Sequence, residues 1–433
     1  MYNLPFSGML AALVHQTSCH RRCPVGLLRC LASVSALVAL SNLPLHTQSL
    51  DSLRNLLRAN NPELKALTYD YRAALAISPQ LAQLPDLEIG GGVSILPVET
   101  RLGPQRARVM VTQMLPWPGT LAAMSALADA RAQPLLEQAA ARQLELIYEL
   151  ETTYFSILAA EGKIEALDTS LSLYTSLRRI ALSRVENSQG SSLDVYRTEI
   201  QSNAVQRQIE ALRSEQQLAW ATIEELVATD DLPRIDVPLA DPELPVIYID
   251  SVRLDHPLVR IFALQEEVSR REVALNDLEA KPGFAIGADY VITGPRTDAE
   301  PPGNGRDAIL PRVMLRIPIS GGKFRAKRDE EVIRREAIAA RRQSTVNQLS
   351  TAIERTLISR EEAARQLAFL REQVATTSAA LTIARTEYAN ARRSFDELLQ
   401  LQNQLIDYQV AAVESLRTLL NQSAAIDRYL PRR

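Results

Sequence analysis

Apolar residues recur along this chain with two different periods, and each period predicts one kind of element. In the segment from residue 284, Phe284, Ile286, Tyr290 and Ile292 alternate with small or polar residues such as Asp289. Period-two alternation gives a strand one apolar and one polar face. Four segments have this pattern, and the predicted strands lie at about residues 85–97, 106–116, 282–293 and 309–318.

A seven-residue period predicts long helices after each pair of strands. Leu150, Ile157, Ile164 and Leu171 are seven residues apart within a first helix predicted over about 120–186. Such spacing is typical of helices that pack along a continuous apolar seam. We expect Pro134 to bend this helix, because proline donates no backbone hydrogen bond. A second long helix is predicted over about 322–391. From Leu367 onward the same seven-residue spacing recurs at Val374, Leu381, Tyr388 and Phe395.

These elements occur twice in the same order: helix, hairpin, long helix, tip and helix. The predicted repeats span residues 50–228 and 256–433, and a proline-rich linker at 229–255 joins them. Their tips lie at about 187–194 and 392–396, where Ser192–Asp194 and Ser394–Asp396 match each other. The fold class is therefore mainly α with β-hairpins, in an internally duplicated protomer.

Residues 1–49 are predicted to be a signal peptide. Arg21, Arg22 and Arg29 precede an apolar run at Cys30–Leu40, and small residues allow cleavage after Ser49. All three cysteines fall inside this segment, so the mature chain would have neither disulfides nor thiolate metal ligands.

Composition argues against several classes of protein. A net charge of −3 provides no basic surface for nucleic acid, and an aromatic content of 5% does not suit a set of compact domains. The chain has no nucleophile elbow, phosphate-binding loop or HExxH motif, and we interpret His256 as a helix-start residue. Met110, Met114 and Met314 are interpreted as strand-wall residues. We therefore predict no enzymatic activity, no catalytic residue, no metal and no cofactor.

The four strands have the length and the dyad pattern of membrane-spanning strands. About 9–11 residues suffice to cross a bilayer as a tilted strand, with apolar side chains toward lipid and polar ones toward the lumen. Four strands cannot close a barrel, so several protomers would have to contribute. Ordinary half-buried sheets and two-stranded coiled coils would also produce these patterns. A periplasmic coiled-coil scaffold or interaction protein without a channel is therefore the alternative.

Three segments carry a resemblance to a known family. The hairpin exits at Gln113–Gly119 and Pro318–Gly322, together with the tip Gln189–Val195, resemble the TolC-like outer-membrane efflux proteins. The resemblance implies a homotrimer in the outer membrane of a Gram-negative bacterium. Its twelve-stranded β-barrel would contact lipid and continue into a twelve-helix periplasmic α-barrel. It implies a passive conduit for small molecules or metal ions in a tripartite system, with a periplasmic adaptor protein and an inner-membrane pump of the RND or ABC type.

The resemblance also implies a periplasmic gate at the tips. Asp194 would pair with Arg392 or Arg393, and Asp396 would repeat three times around the pore. Tyr388 lies one residue from the aromatic position that the family pattern predicts. The tip residues expected to contact the adaptor are Gly190, Ser191, Ser192 and Ser394. The expected strand-to-helix junctions comprise Pro116, Trp117, Pro118 and Gly119 in the first repeat and Pro318, Gly321 and Gly322 in the second.

Overall fold

The structure, a computed structural model, describes residues 50–229, 232, 255–390 and 392–430, and structural statements below refer to these residues. The predicted signal peptide and nearly all of the predicted linker lie outside them. In chain order the elements are α1 (Leu50–Asn60), α2 (Pro62–Leu75), α3 (Ser78–Leu81), β1 (Glu88–Thr100), β2 (Gly103–Leu115), α4 (Thr120–Glu186), α5 (Ser192–Val227), α6 (Pro257–Glu279), β3 (Gly283–Thr293), β4 (Ala308–Arg316), α7 (Gly322–Ala389) and α8 (Phe395–Tyr429).

The two long helices α4 and α7 contain 67 and 68 residues. At the rise of an α-helix each is about 100 Å long. The seven-residue series of α4 is buried at Leu150, Ile157 and Ile164, so this spacing forms the packing face. The series of α7 stops at Tyr388, because Phe395 belongs to the next helix. Helix α4 is continuous through Pro134, and the expected bend there stays a prediction.

Helix α4 is the centre of the helical packing. It contacts α1, α2, α3, α5, α6 and α8, whereas α7 packs on α6 and α8. One apolar cluster joins α1, α4 and α5 around Leu57, Leu150 and Val227. A second cluster lies toward the tips and includes Leu177 of α4 and Leu398 of α8. In the half of the helical assembly that lies toward the tips, α5 and α7 are therefore the two edge helices.

The four strands form one antiparallel sheet in the order β1-β2-β3-β4. Strand β1 extends to Thr100, three residues beyond its predicted end, and only Arg101 and Leu102 separate it from β2. The predicted boundary at Pro97 was wrong for a physical reason. Pro97 lies where the register shifts between Val93 and Val98, so the ladder needs no donor from it.

The sheet exposes its apolar face. In β3 the side chains of Phe284, Ile286 and Tyr290 are exposed, whereas Ala285 and Asp289 are buried. The register places the polar residues of neighbouring strands on the same side as Asp289. Among the described residues, none of the helices has an apolar stretch of the length needed to cross a bilayer.

Equivalent capping residues begin α2 and α6. The Asn61 side chain accepts a hydrogen bond from the backbone N–H of Leu64 (3.0 Å), and Nδ1 of His256 accepts one from the N–H of Leu258 (3.2 Å). His256 is therefore a helix-start residue, as its sequence position indicated. Burial lowers the pKa of His256, and its neutral form provides the acceptor.

The His256 cap makes stability depend on pH. A histidine pKa lowered by folding contributes stability that is complete above the unfolded value of about 6.5 and is lost as pH falls through the folded value. His256→Asn supplies an acceptor that does not titrate. As pH is lowered from 7.5 to 5, the apparent melting temperature of wild type should therefore fall further than that of the variant. The difference should correspond to about 1 kcal/mol in the free energy of unfolding. Asn61→Ala, the control, should lower the melting temperature equally at both pH values; parallel curves for His256→Asn would contradict the assignment.

Candidate functional site

The two tips share one backbone geometry. At the end of α4, the N–H of Gln189 donates to the carbonyl of Arg184 (2.8 Å), and at the end of α7 the N–H of Arg392 donates to that of Glu387 (2.8 Å). These are the six-to-one bonds that close a helix C-terminus in a Schellman motif. Ser188 follows α4 with φ of 57°, a left-handed conformation that this motif requires. The repeats therefore correspond at the tips with an offset of 203 residues.

This offset corrects the sequence-based match between Ser192 and Ser394. The N-cap residues are Ser191, which accepts from the N–H of Leu193 (3.1 Å), and Ser394, which accepts from that of Glu397 (3.3 Å). Ser192 is instead the first residue of α5. Asp194 consequently corresponds to Glu397, each being the third residue of its helix, where an acidic side chain suits the positive end of the helix dipole.

Asp194 and Tyr388 are brought together across the two tips. The hydroxyl of Tyr388 donates to a carboxylate oxygen of Asp194 (3.3 Å), although Tyr388 lies one residue from the position expected for the family aromatic. Tyr388 is 1% exposed, and its ring contacts the ring of Phe395, with centroids 5.6 Å apart. Burial, and then the charge of Asp194, raise the pKa of Tyr388. The hydroxyl therefore stays protonated and able to donate at neutral pH.

The other predicted gate residues have different neighbours within one chain. Arg393 contacts Glu387 (2.7 Å) and Glu397 (3.0 Å), and Asp396 pairs with Arg197. None of the ion pairs at the tips in the described part of the chain includes Arg392, so the predicted Asp194–Arg392 pair is not formed within one protomer. That pair remains a prediction for contacts between protomers.

Sequence reasoning missed Arg184, a residue in the last turn of α4 whose guanidinium lies between the two tips. Its Nη1 donates to the carbonyl of Tyr388 (3.1 Å) and its Nη2 to that of Gln189 (3.0 Å). Its guanidinium carbon also lies 4.5 Å from the centroid of the Tyr388 ring. A basic residue in the last turn of a helix is a recognisable sequence signal. The sequence does not show that its acceptor belongs to a residue about two hundred positions later.

Gly190 packs tightly under the first tip. A Cβ atom built at Gly190 would lie 2.8 Å from Cβ of Arg184 and 3.2 Å from its carbonyl carbon. Gly190 was expected to contact the adaptor, and the structure supplies an independent reason for glycine. The chain must fold directly over the last turn of α4, which leaves no room for a side chain there.

The two strand-to-helix junctions differ. In the first, Trp117 stacks on Phe284 with centroids 6.1 Å apart, and Gly119 precedes α4 with φ of 91°, where a residue with a side chain would be strained. In the second, Gly321 precedes α7 with an ordinary helical conformation, φ −68°. Glycine is thus required by backbone geometry at the first junction only. Pro116, Pro118, Pro318 and Gly322 complete the two exits between strand and helix.

The face of the sheet opposite the exposed apolar side chains carries the polar residues. Nη2 of Arg312 donates to the hydroxyl of Thr112 (2.7 Å) and lies 3.6 Å from a carboxylate oxygen of Asp289. Gly287 lies between Thr112 and Arg312 in the register, so no side chain separates them. Met110, Met114 and Met314 share this face. Within the described residues, no group of three or more histidine, cysteine or carboxylate side chains is arranged to hold a metal ion.

Comparison with known proteins agrees with this architecture. Residues 53–229 match the family model for the outer membrane efflux protein. No curated protein matches the chain. Among solved structures, CusC superimposes with a TM-score of 0.73 at 15% sequence identity and covers 89% of this chain and 92% of its own.

Two further channels have the same fold. The CmeC outer membrane channel of Campylobacter jejuni has a TM-score of 0.69 at 13% identity, covering 88% of this chain and 85% of its own. The MtrE outer membrane channel of Neisseria gonorrhoeae has a TM-score of 0.68 at 17% identity, covering 88% of each chain. The structural matches confirm the fold class of the protomer. The family match over residues 53–229 agrees with the resemblance stated above.

Gly190→Ala should disturb the first tip. The added Cβ would force the tip backbone away from Arg184, at a cost of about 1–3 kcal/mol for an overpacked site. We expect a lower midpoint in chemical denaturation and increased proteolysis between residues 186 and 192. Gly322→Ala is the matched control, because no atom lies within 4 Å of a Cβ built there. Equal midpoints for the two variants would contradict the proposed crowding.

Proposed function

We propose that this chain, whose residues 53–229 match the outer membrane efflux protein family model and whose fold is similar to those of solved outer-membrane channels, is the outer-membrane component of a tripartite efflux or export system. Three copies would form a twelve-stranded barrel and a twelve-helix periplasmic tube. The channel would be a passive conduit for small molecules or metal ions. An inner-membrane pump would supply the energy and a periplasmic adaptor would join it to the tube.

The observation that carries this proposal is that the sheet and the helical assembly both end in open edges that expose apolar side chains. Strands β1 and β4 are the edges of the sheet, and their most exposed apolar residues include Ile95 (94%) and Val313 (77%). Unpaired backbone groups are costly in lipid, so an open sheet with an apolar outer face is stable in a membrane only if other copies close it. Each protomer would supply one third of the barrel.

The edge helices support the same assembly. Helix α5 exposes Tyr196 and Ile200, and α7 exposes Phe369 and Ile383. Ile383 lies 6 residues before the end of α7 at Ala389, and Tyr196 and Ile200 lie 4 and 8 residues after the start of α5 at Ser192. Since both helix ends are at the tips, these side chains would meet at one level if α5 of one protomer packed on α7 of the next.

A small residue of α5 would face Phe369 of the neighbouring protomer. Phe369 lies 20 residues before the end of α7, and Ala211 lies 19 residues after the start of α5. Both are exposed in a single chain. A large side chain facing a small one is the complementarity that close-packed helices need. The contact would add a second packing face to each edge helix, and a closed ring requires two faces on every helix.

The polar face of the sheet supports a water-filled lumen. Arg312, Thr112 and Asp289 form a hydrogen-bonded and charged group on the side opposite the exposed apolar residues. This is the arrangement of apolar-out and polar-in side chains that membrane barrels require. We place the gate at the tips, where Asp194 would pair with Arg392 of a neighbouring protomer and Asp396 would form a ring of three carboxylates. Gly190, Ser191, Ser192 and Ser394 would contact the adaptor.

Purified protein reconstituted in planar bilayers should form discrete channels, because the assembled trimer would have a continuous lumen. In membranes from a Gram-negative host, unheated samples should migrate as a trimer from the outer-membrane fraction and heated samples as a monomer. A protein that stays in solution without detergent and forms no channels would contradict the proposal and favour the scaffold alternative.

Phe369→Glu should prevent trimer formation, because it would place an unpaired carboxylate between α7 and the neighbouring α5. Burying such a charge costs on the order of several kcal/mol. Leu136→Glu on α4 is the matched control, since Leu136 is 45% exposed, comparable with 51% for Phe369, but lies on a helix that is not at an edge. The measurement is the trimer fraction in unheated gels. A control that loses the trimer equally would argue against an α5–α7 interface.

Asp194→Ala and Arg392→Ala should each raise the single-channel conductance in planar bilayers. Each variant removes one partner of the proposed contact between protomers, so the closed tips would separate more easily. Unchanged conductance in both variants would exclude this pair as part of the gate.

A further inference from the structure

Arg184 contacts both tips of the same protomer. It lies on α4, and its guanidinium donates to the carbonyl of Gln189 in the first tip and to the carbonyl of Tyr388 near the end of α7. The last carbonyls of a helix have no donor within the helix, so Arg184 satisfies a group that α7 leaves available. We call the set of contacts among Arg184, Tyr388 and Asp194 the cross-tip contact.

The cross-tip contact holds Tyr388 from two sides. The guanidinium carbon of Arg184 is 4.5 Å from the centroid of the Tyr388 ring, within the range of a cation–π interaction. On its hydroxyl side, Tyr388 donates to Asp194 (3.3 Å). Arg184 and Asp194 belong to the α4–α5 pair, and Tyr388 belongs to the α7–α8 pair. One tyrosine from one helix pair is therefore fixed by two charged residues of the other.

The position of Arg184 is itself fixed by the first tip. The backbone at Gly190 approaches the Cβ of Arg184 so closely that no side chain fits between them. Within the described residues, Nε of Arg184 is buried without a hydrogen-bond partner. A buried donor without a partner is costly, and an arginine free to extend into solvent would not have this cost. The tip thus confines the guanidinium to the space beside Tyr388.

Among the described residues, the second repeat has no equivalent of the Arg184 contact. The 203-residue offset places Glu387 at the position of Arg184, and Glu387 pairs with Arg393 of its own tip (2.7 Å). The duplicated backbone therefore carries opposite charges at this position. At this position, within the described residues, the arginine of the first repeat contacts the other helix pair and the glutamate of the second repeat does not.

We propose that Arg184 is a positioning residue of the gate: it holds Tyr388 against Asp194 and thereby ties the α4–α5 pair to the α7–α8 pair in the closed state. The inference rests on the proposed function, in which the tips close the tube. It assigns to Arg184 a role within each protomer, distinct from the proposed Asp194–Arg392 contact between protomers. Opening would require the guanidinium to leave both the carbonyl and the ring of Tyr388.

The test is single-channel conductance in planar bilayers. Arg184→Met keeps the length of the side chain but removes the charge and the donors, and we expect at least a twofold increase in conductance. Arg184→Lys keeps a cation near the ring but cannot donate in the same planar arrangement to two carbonyls, so its conductance should be intermediate. Arg179→Met is the matched control, because Arg179 is exposed on the same helix five residues earlier, and its conductance should equal that of wild type.

A double variant separates positioning from a general weakening of the fold. If Arg184 acts through Tyr388, then Arg184→Met combined with Tyr388→Leu should raise conductance no further than Tyr388→Leu alone. Additive increases would overturn the assignment. The trimer fraction in unheated gels is measured for every variant. If Arg184→Met does not assemble, the conductance of Arg184→Lys is compared with wild type alone. A conductance above wild type supports the proposal, and a conductance equal to wild type overturns it.

The outcomes also distinguish this inference from the proposed function. If the wild-type protein forms no channels, the proposed function itself fails. If wild type conducts and Arg392→Ala raises the conductance while Arg184→Met does not, the proposed gate at the tips is supported and the role of Arg184 is overturned.

Discussion

The apolar face of α4 is the constraint on which the rest of the structure depends. Its heptad positions, including Leu150 and Ile164, are buried against α1, α5 and α8, so these helices must run alongside it. A helix about 100 Å long cannot be covered by a compact core. Helix α5, which packs on α4, and helix α7, which packs on α8, are the edges of the assembly, and one chain leaves their faces around Tyr196 and Phe369 exposed. In the proposed trimer, neighbouring copies would cover the exposed helix faces and also pair the strand edges.

Duplication supplied two similar backbones, and side chains made their tips different. Both long helices end with the same hydrogen-bonded turn, and a serine begins each following helix. At the position 203 residues apart, however, the first repeat has Arg184 and the second has Glu387. The arginine contacts the other helix pair and the glutamate contacts its own tip. The two positions have equivalent backbone geometry, but Arg184 forms a contact between the helix pairs and Glu387 forms a contact within its own pair.

Much of the fold could be predicted because long elements repeat a simple pattern many times. The helix predicted over 120–186 is present as Thr120–Glu186, because apolar residues recur with the same period along nearly seventy residues. Boundaries that depend on single residues were less predictable. Pro97 suggested the end of a strand, but β1 continues because the proline lies at a register shift. Ser192 was matched with Ser394, and only the hydrogen bonds identify Ser191 as the cap.

By itself, the sequence determined the periods, the duplication and the faces of each element, because these depend on residues that are neighbours along the chain. It also indicated the regions of the tips and junctions, where glycine, proline and capping residues interrupt the periods. Only the tertiary structure decided which tip residues meet. Tyr388 contacts Arg184 and Asp194 because α4 and α7 end, and α5 and α8 begin, at the same level of the helical assembly. These residues are about two hundred positions apart in the chain. Local patterns specify which side of a helix is apolar, but the partner of a polar side chain is set by how the helices pack together.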